Sequence, residues 1–264
     1  MNLVYFMPIV VAAAVASSCG DDEDGGLGSL RSDASVFYYN QITSNGAADQ
    51  STLRADVTLE GDDSDSVSGV GYSREDEGPE LRVRIDDTDE DDDNSVSLEG
   101  LNASGGRLFR TRLELANNSN YTAVSYGDTS FSSTQIAVFQ QDPSEVSSGA
   151  RFRVINTVDP QDIDAIGFDL RYTSEGTNGN YFATDLRLGQ ATEYQTTDSS
   201  SLNIVVARAG VRNPEEQLAQ MDCSLSGSRT YDVILAVDDP LNPPLSEGEA
   251  EDELVIYCHP QERN

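Results

Sequence analysis

The chain has no lysine and no tryptophan, a single histidine, three cysteines, and only 16 basic residues, all of them arginine, against 47 acidic ones. Without lysine there is no amine to form a Schiff base or to act as a nucleophile. With His259 alone, any Ser–His or Cys–His pair has one possible partner. A formal net charge of -31 removes the basic face on which nucleic-acid binding depends, and it removes attraction to an anionic lipid surface. The missing tryptophan takes away the usual sugar-stacking platform, although tyrosine can substitute. The acidic excess is spread along the chain and reads as a solvated, salt-tolerant skin. Even so, hydrophobic residues make up 37% of the 264, enough to build the cores of two domains.

Residues 3–16 form the one long uncharged run, rich in Val, Ala, Ile and Phe. It is too short for a bilayer-spanning helix and has the length of a signal-peptide hydrophobic region. It ends in Val15-Ala16-Ser17-Ser18-Cys19-Gly20, which resembles the bacterial lipoprotein signal: small residues precede a Cys that is acylated and becomes the first residue of the mature chain. The resemblance implies a signal peptide over 1–18, lipidation at Cys19 and anchoring in the membrane through that lipid. Gly20, rather than Asp, after the Cys implies sorting to the outer membrane, facing periplasm or cell surface. The pattern departs from such signals in one respect, because Met1 to Phe6 carries no Lys or Arg. Residues 19–34 begin Cys19-Gly20-Asp21-Asp22-Glu23-Asp24-Gly25-Gly26, have no periodic apolar residue, and read as an acidic Gly/Asp tether.

From Ser35 onward the signal is period-two alternation, as in Ile166, Phe168, Leu170 and Tyr172 with Asp169 and Arg171 between them. Similar strands are expected at 81–85, 121–125, 135–139, 202–206 and 231–237. A helical period is weakly present only at 214–221. Short strands separated by Gly, Asn, Asp and Ser clusters predict an all-β chain of antiparallel sandwiches, each sheet with one buried and one wet face.

The chain also repeats itself. Val36, Tyr38 and Asn40 match Phe152, Val154 and Asn156 at an offset of 116, and Leu115 and Tyr121 match Leu225 and Tyr231 at an offset of 110. Two related domains follow, a first sandwich over 35–142 and a second over 150–260, joined through 143–149. Tyr121 and Tyr231, heading equivalent strands, read as structural corner tyrosines rather than a catalytic pair.

Arg153-Val154-Ile155-Asn156 with Asp159-Pro160, then Phe168 to Tyr172, Leu188 to Tyr194, Leu202 to Gly210 and Tyr231 to Leu235 resemble the two-copy bacterial envelope domains classed as domain of unknown function forty-three ninety-seven. Asp56 to Gly61 and Tyr121 to Val124 in the first half are similar, while the long acidic loops there depart from the pattern. The resemblance implies tandem immunoglobulin-like sandwiches at the cell envelope. It implies no activity.

Setting Cys19 aside leaves Cys223 and Cys258, an even pair suited to a disulfide in an oxidising compartment, or two buried thiols. The densest acidic stretch is Asp86 to Asp93, between two strands. Asp87, Asp89, Asp91 and Asp93 could offer oxygens to Ca²⁺, which takes about six to eight. The stretch fails the EF-hand template, with Asp92 where Gly is required and Leu98 where Glu is, so a solvated hairpin tip is the simpler reading. Glu75-Asp76-Glu77 and Asp62-Asp63-Ser64-Asp65 are weaker versions. His259, close to the last residue, reads as an exposed tail side chain. Three functions fit: a non-catalytic binding, spacer or structural module with an envelope protein or glycan as partner and no cofactor; a calcium-dependent adhesin; and a carboxylate-based glycoside hydrolase, which needs only two suitably spaced acids.

Overall fold

The computed structural model describes residues 32–46, 49–74, 78–85, 95–131, 134–142, 144, 146–158, 167–175, 180–210, 217–243 and 253–261. The first half contributes β1 (Ser32–Thr43), β2 (Ala55–Glu60), β3 (Ser64–Val70), β4 (Glu80–Ile85), β5 (Ser95–Asn102), β6 (Arg107–Glu114), β7 (Asn120–Asp128) and β8 (Gln135–Gln140). The second contributes β9 (Ala150–Asn156), β10 (Phe168–Tyr172), β11 (Tyr181–Leu186), β12 (Gln195–Thr197), β13 (Ser201–Arg208), β14 (Gln217–Ser224), β15 (Thr230–Val237) and β16 (Leu254–Pro260).

Four four-stranded sheets result, in the orders β4-β1-β7-β8, β3-β2-β5-β6, β12-β9-β15-β16 and β11-β10-β13-β14. Adding eight to each label of the first half reproduces the second, so the two halves share one topology. Pairing is antiparallel except at the centre of two sheets, where β1 runs parallel to β7 and β9 parallel to β15. Each half is a sandwich with its own core. Val36, Leu59, Leu81 and Leu98 meet in the first, and Phe152, Phe168, Ile204 and Val233 in the second.

Repeated side-chain devices hold equivalent turns. Tyr121 Oη accepts from the Ala116 N–H at 2.8 Å, and Tyr231 Oη accepts from the Ser226 N–H at 2.7 Å. Both tyrosines are therefore corner residues. The turns they brace carry a left-handed residue at the same place, Asn118 at φ 52° and Ser228 at φ 61°. Asn40 donates to Val70 O, the last residue of β3, and accepts from the Ile42 N–H; Asn156 does the same with Leu186 O, the last residue of β11, and the Val158 N–H. In each half this asparagine pins the end of the first strand to the end of the opposing sheet's edge strand.

Three expectations change. The weak helical period at 214–221 does not become a helix from Gln217 on, since Gln217–Ser224 pairs along β13 with Met221 opposite Ile204 and Cys223 opposite Leu202. Sheet pairing and burial of Leu218 and Met221 outweigh its local propensity. The wet second face exists on the β3-β2-β5-β6 sheet, where β2 alternates buried and exposed residues from Ala55 to Glu60. It does not extend over the central strands β7 and β15 of the other two sheets, which are buried without alternation. Those two inner sheets pack on each other through Tyr39 and Val124 on one side and Ile155, Ile234, Ala236 and Tyr257 on the other. The result is four layers deep, with the β3-β2-β5-β6 and β11-β10-β13-β14 sheets outermost. Finally, Asp169 and Arg171, expected on a wet face, are 1% and 3% exposed. Asp169 accepts from the N–H groups of Asp185 and Gly210.

Candidate functional site: the inter-sandwich junction

The junction between the inner sheets holds the densest buried polar chemistry among the described residues. At its centre lies Asp232 on β15, 1% exposed. Strand register places Arg153 beside it on β9 and His259 on its other side on β16. Arg153 Nε donates to Asp232 Oδ1 at 2.5 Å, and Gln261 Nε2 donates to the same oxygen at 2.9 Å. Thr122, from the first sandwich, donates its hydroxyl to Asp232 Oδ2 and accepts from Gln141 Nε2 at 2.9 Å. The pair is the one ion pair among the described residues in which both side chains are buried. A charge removed from water needs such partners, because an unpaired buried carboxylate is strongly disfavoured.

Arg153 reaches further. Nη1 donates to Gln140 O at 3.0 Å, and the guanidinium lies 5.3 Å from the Phe139 ring centre and 5.0 Å from that of Tyr194. Arg151 covers Tyr194 at 4.0 Å and pairs with Asp142 at 2.8 Å where the chain crosses between sandwiches. Hydrogen bonds from Arg151 and Ser144 hold the Asp142 carboxyl down at about 2. Burial, with the Asp232 charge nearby, raises the Tyr194 phenol.

His259 is 2% exposed rather than an exposed tail group. The chain does not end its last strand before it. Leu254–Pro260 pairs with β15 through Pro260, and the imidazole sits with its ring centre 4.3 Å from that of Tyr39. Burial pulls its pKa down to about 4, although the Asp232 charge opposes the shift. Its Nε2 has no hydrogen-bond partner among the described residues. The imidazole is therefore neutral at pH 7 and packs as a core aromatic, enclosed from any substrate.

The far end of the junction is tied by backbone. Tyr72 Oη donates to Val237 O at 2.8 Å, the Ser44 N–H to Pro240 O at 2.9 Å and the Gly46 N–H to Leu241 O at 3.1 Å. Gly189, at φ +73°, presses so closely on Tyr126 Oη that a Cβ there would collide with it.

Cys223 and Cys258 form a disulfide, Cα–Cα 6.2 Å, joining the edge strands β14 and β16 of the second sandwich's two sheets. An open groove of about 720 Å³ runs beside it, lined by Asp222, Ser224, Asp238, Val255 and Tyr257 among others. Asp63 and Asp65, in the 62–65 acidic stretch, accept from the Arg84 and Arg82 N–H groups of edge strand β4, both at 2.9 Å. They stand in for a missing strand and close that edge to pairing.

Cys19, Asp87, Asp89, Asp91, Asp93 and the 75–77 acidic stretch lie outside the described residues. Among the described residues no group of three or more His, Cys, Asp or Glu could hold a metal ion, and no helix is long and apolar enough to cross a membrane. Thr122, Arg153 and Asp232 were not candidates from sequence. The readable signal was the near-unbroken apolar run Val233-Ile234-Leu235-Ala236-Val237, which marks a strand buried on both faces.

No protein-family model matches the chain, and no curated protein matches it in sequence. Among solved structures it is similar to one titled "Alpha-glucan recognition by family 41 carbohydrate-binding modules from streptococcal virulence factors". That match has 9% sequence identity and a TM-score of 0.25, and covers 86% of this chain and 96% of that one. At that score the likeness assigns this chain no ligand.

Proposed function

We propose that this chain is a non-catalytic lipoprotein of the cell envelope, two copies of an immunoglobulin-like envelope domain acting as one rigid binding or spacer module. The observation that supports this most is the junction itself. A buried Arg153–Asp232–Thr122 network, backbone bonds at Ser44 and Gly46, and the Tyr72 hydroxyl on Val237 O tie the sandwiches together. A unit tied in this way transmits position rather than bending at a hinge. Its outer sheets and loop ends are left for an envelope protein or glycan. The lipid on Cys19 and the tether complete the reading, holding the acidic module off the outer membrane; the tether stops short of the expected residue 34, because Ser32 to Ala34 already pair with β4 as the start of β1.

Radioactive palmitate fed to cells expressing the chain tests the anchor. The label is expected in the wild type and absent from the Cys19→Ala variant, which should leave the membrane fraction. Label retained by that variant, or wild-type chain free in the cytosol, overturns the reading. Crosslinking in intact cells, with the captured protein or glycan identified, tests the binding role.

A further inference from the structure

Three residues in register cross each inner sheet at the junction. In the first sandwich they are Phe37, Thr122 and Phe139, on β1, β7 and β8. In the second they are Arg153, Asp232 and His259, on β9, β15 and β16. The repeat makes these rows equivalent position by position, because Tyr121 and Tyr231 head matching strands. The rows meet in reversed order. Phe139 of β8 faces Arg153 of β9 at 5.3 Å, Thr122 of β7 bonds Asp232 of β15, and on β1 it is Tyr39, two residues along from Phe37, that lies against His259 of β16 at 4.3 Å, so the reversal holds strand by strand. Reversal with the central pair in contact is what a two-fold axis through Thr122 and Asp232 produces. Each sandwich therefore presents the same patch of its fold to the other, as the subunits of a symmetric dimer do.

We infer that the junction is a dimer-type pairing surface enclosed within one chain, and that the residue at its axis, Thr122 in one half and Asp232 in the other, sets which sandwich pairs with which. The partner it fits is a second copy of the same domain carrying a neutral hydroxyl at the axis. Two second sandwiches pairing by the same geometry would bury Asp232 against Asp232, a like-charge contact of the kind that rejects wrong partners. The Thr122–Asp232 contact replaces that repulsion by a hydrogen bond, and the charge is balanced by Arg153 from the same sandwich. Nothing covalent other than the connecting segment is needed, since the disulfide lies wholly within the second sandwich.

The test uses the full chain with a specific protease site inserted between the exposed Ser147 and Ser148. After cleavage, sizing with light scattering at low micromolar concentration should find the two halves together as one 1:1 pair. Thr122→Ser should behave alike. Thr122→Asp reproduces the forbidden axis contact and should weaken association at least about 30-fold, releasing both halves. Exchanging the two, Thr122→Asp with Asp232→Thr, should restore much of the pairing. That recovery separates an axis effect from simple misfolding of the first sandwich, which the exchange would not repair. Wild-type halves that drift apart, Thr122→Asp halves that stay joined as tightly as wild type, or an exchange as defective as the single variant would each overturn the inference.

Discussion

Replacing His259 by phenylalanine, the residue its counterpart Phe139 already is, should change how stability depends on pH. In the unfolded chain the imidazole takes up a proton as pH falls through its ordinary 6.5; in the fold, burial against Tyr39 delays this until about 4. Between those values the unfolded state binds more protons, so the stability His259 allows is present above pH 6.5 and is lost as pH falls toward 4. The full separation corresponds to about 3 kcal/mol, and the part lost between pH 7 and pH 5 to about 2 kcal/mol. For a chain of this size that is a fall of roughly 4–8 °C in Tm. Urea unfolding of wild type and His259→Phe at pH 7 and pH 5 isolates the effect, because the many acidic groups titrate in both proteins and cancel in the difference. Wild type should lose about 2 kcal/mol more than the variant on acidification. Parallel losses, within about 0.5 kcal/mol, would refute the neutral, enclosed imidazole on which the reasoning rests.

Arg153→Leu leaves the Asp232 carboxylate buried without its cation and should cost about 3–5 kcal/mol in denaturant unfolding; adding Asp232→Thr should recover most of it. Changing both Cys223 and Cys258 to Ala opens a loop spanning 35 residues, an expected loss of about 3–4 kcal/mol, and two free thiols in denatured, unreduced wild type would contradict the bridge. Tyr121→Phe and Tyr231→Phe each strand one turn N–H and should cost about 1–2 kcal/mol by the same assay, with similar values because the corners are equivalent. For the acidic stretch carrying Asp87, Asp89, Asp91 and Asp93, calorimetry with millimolar Ca²⁺ should give no heat; a saturable heat would establish a cation site.

Local chemistry made much of the fold readable. Alternation marked β4 and β10, and the spacing from Leu115 to Tyr121 and from Leu225 to Tyr231 marked both corners, because a tyrosine corner closes within five residues. The Cys223–Cys258 pair was readable from parity. The 217–224 strand was harder to see, because its pattern is set by β13 alongside it.

What the sequence determined by itself is therefore the all-β character, part of the strand inventory, the duplication and the chemistry available to a chain with no lysine and one histidine. What only the tertiary structure decided is that the two inner sheets turn their second faces toward each other. That choice buried His259, made Asp232 and Arg153 a junction rather than a surface pair, and brought Thr122 onto its own counterpart 110 residues away. The physical reason is range. Turn and strand preferences act over a few residues, whereas the packing of one sheet on another depends on side chains from six strands arriving together, and no stretch of sequence carries that sum.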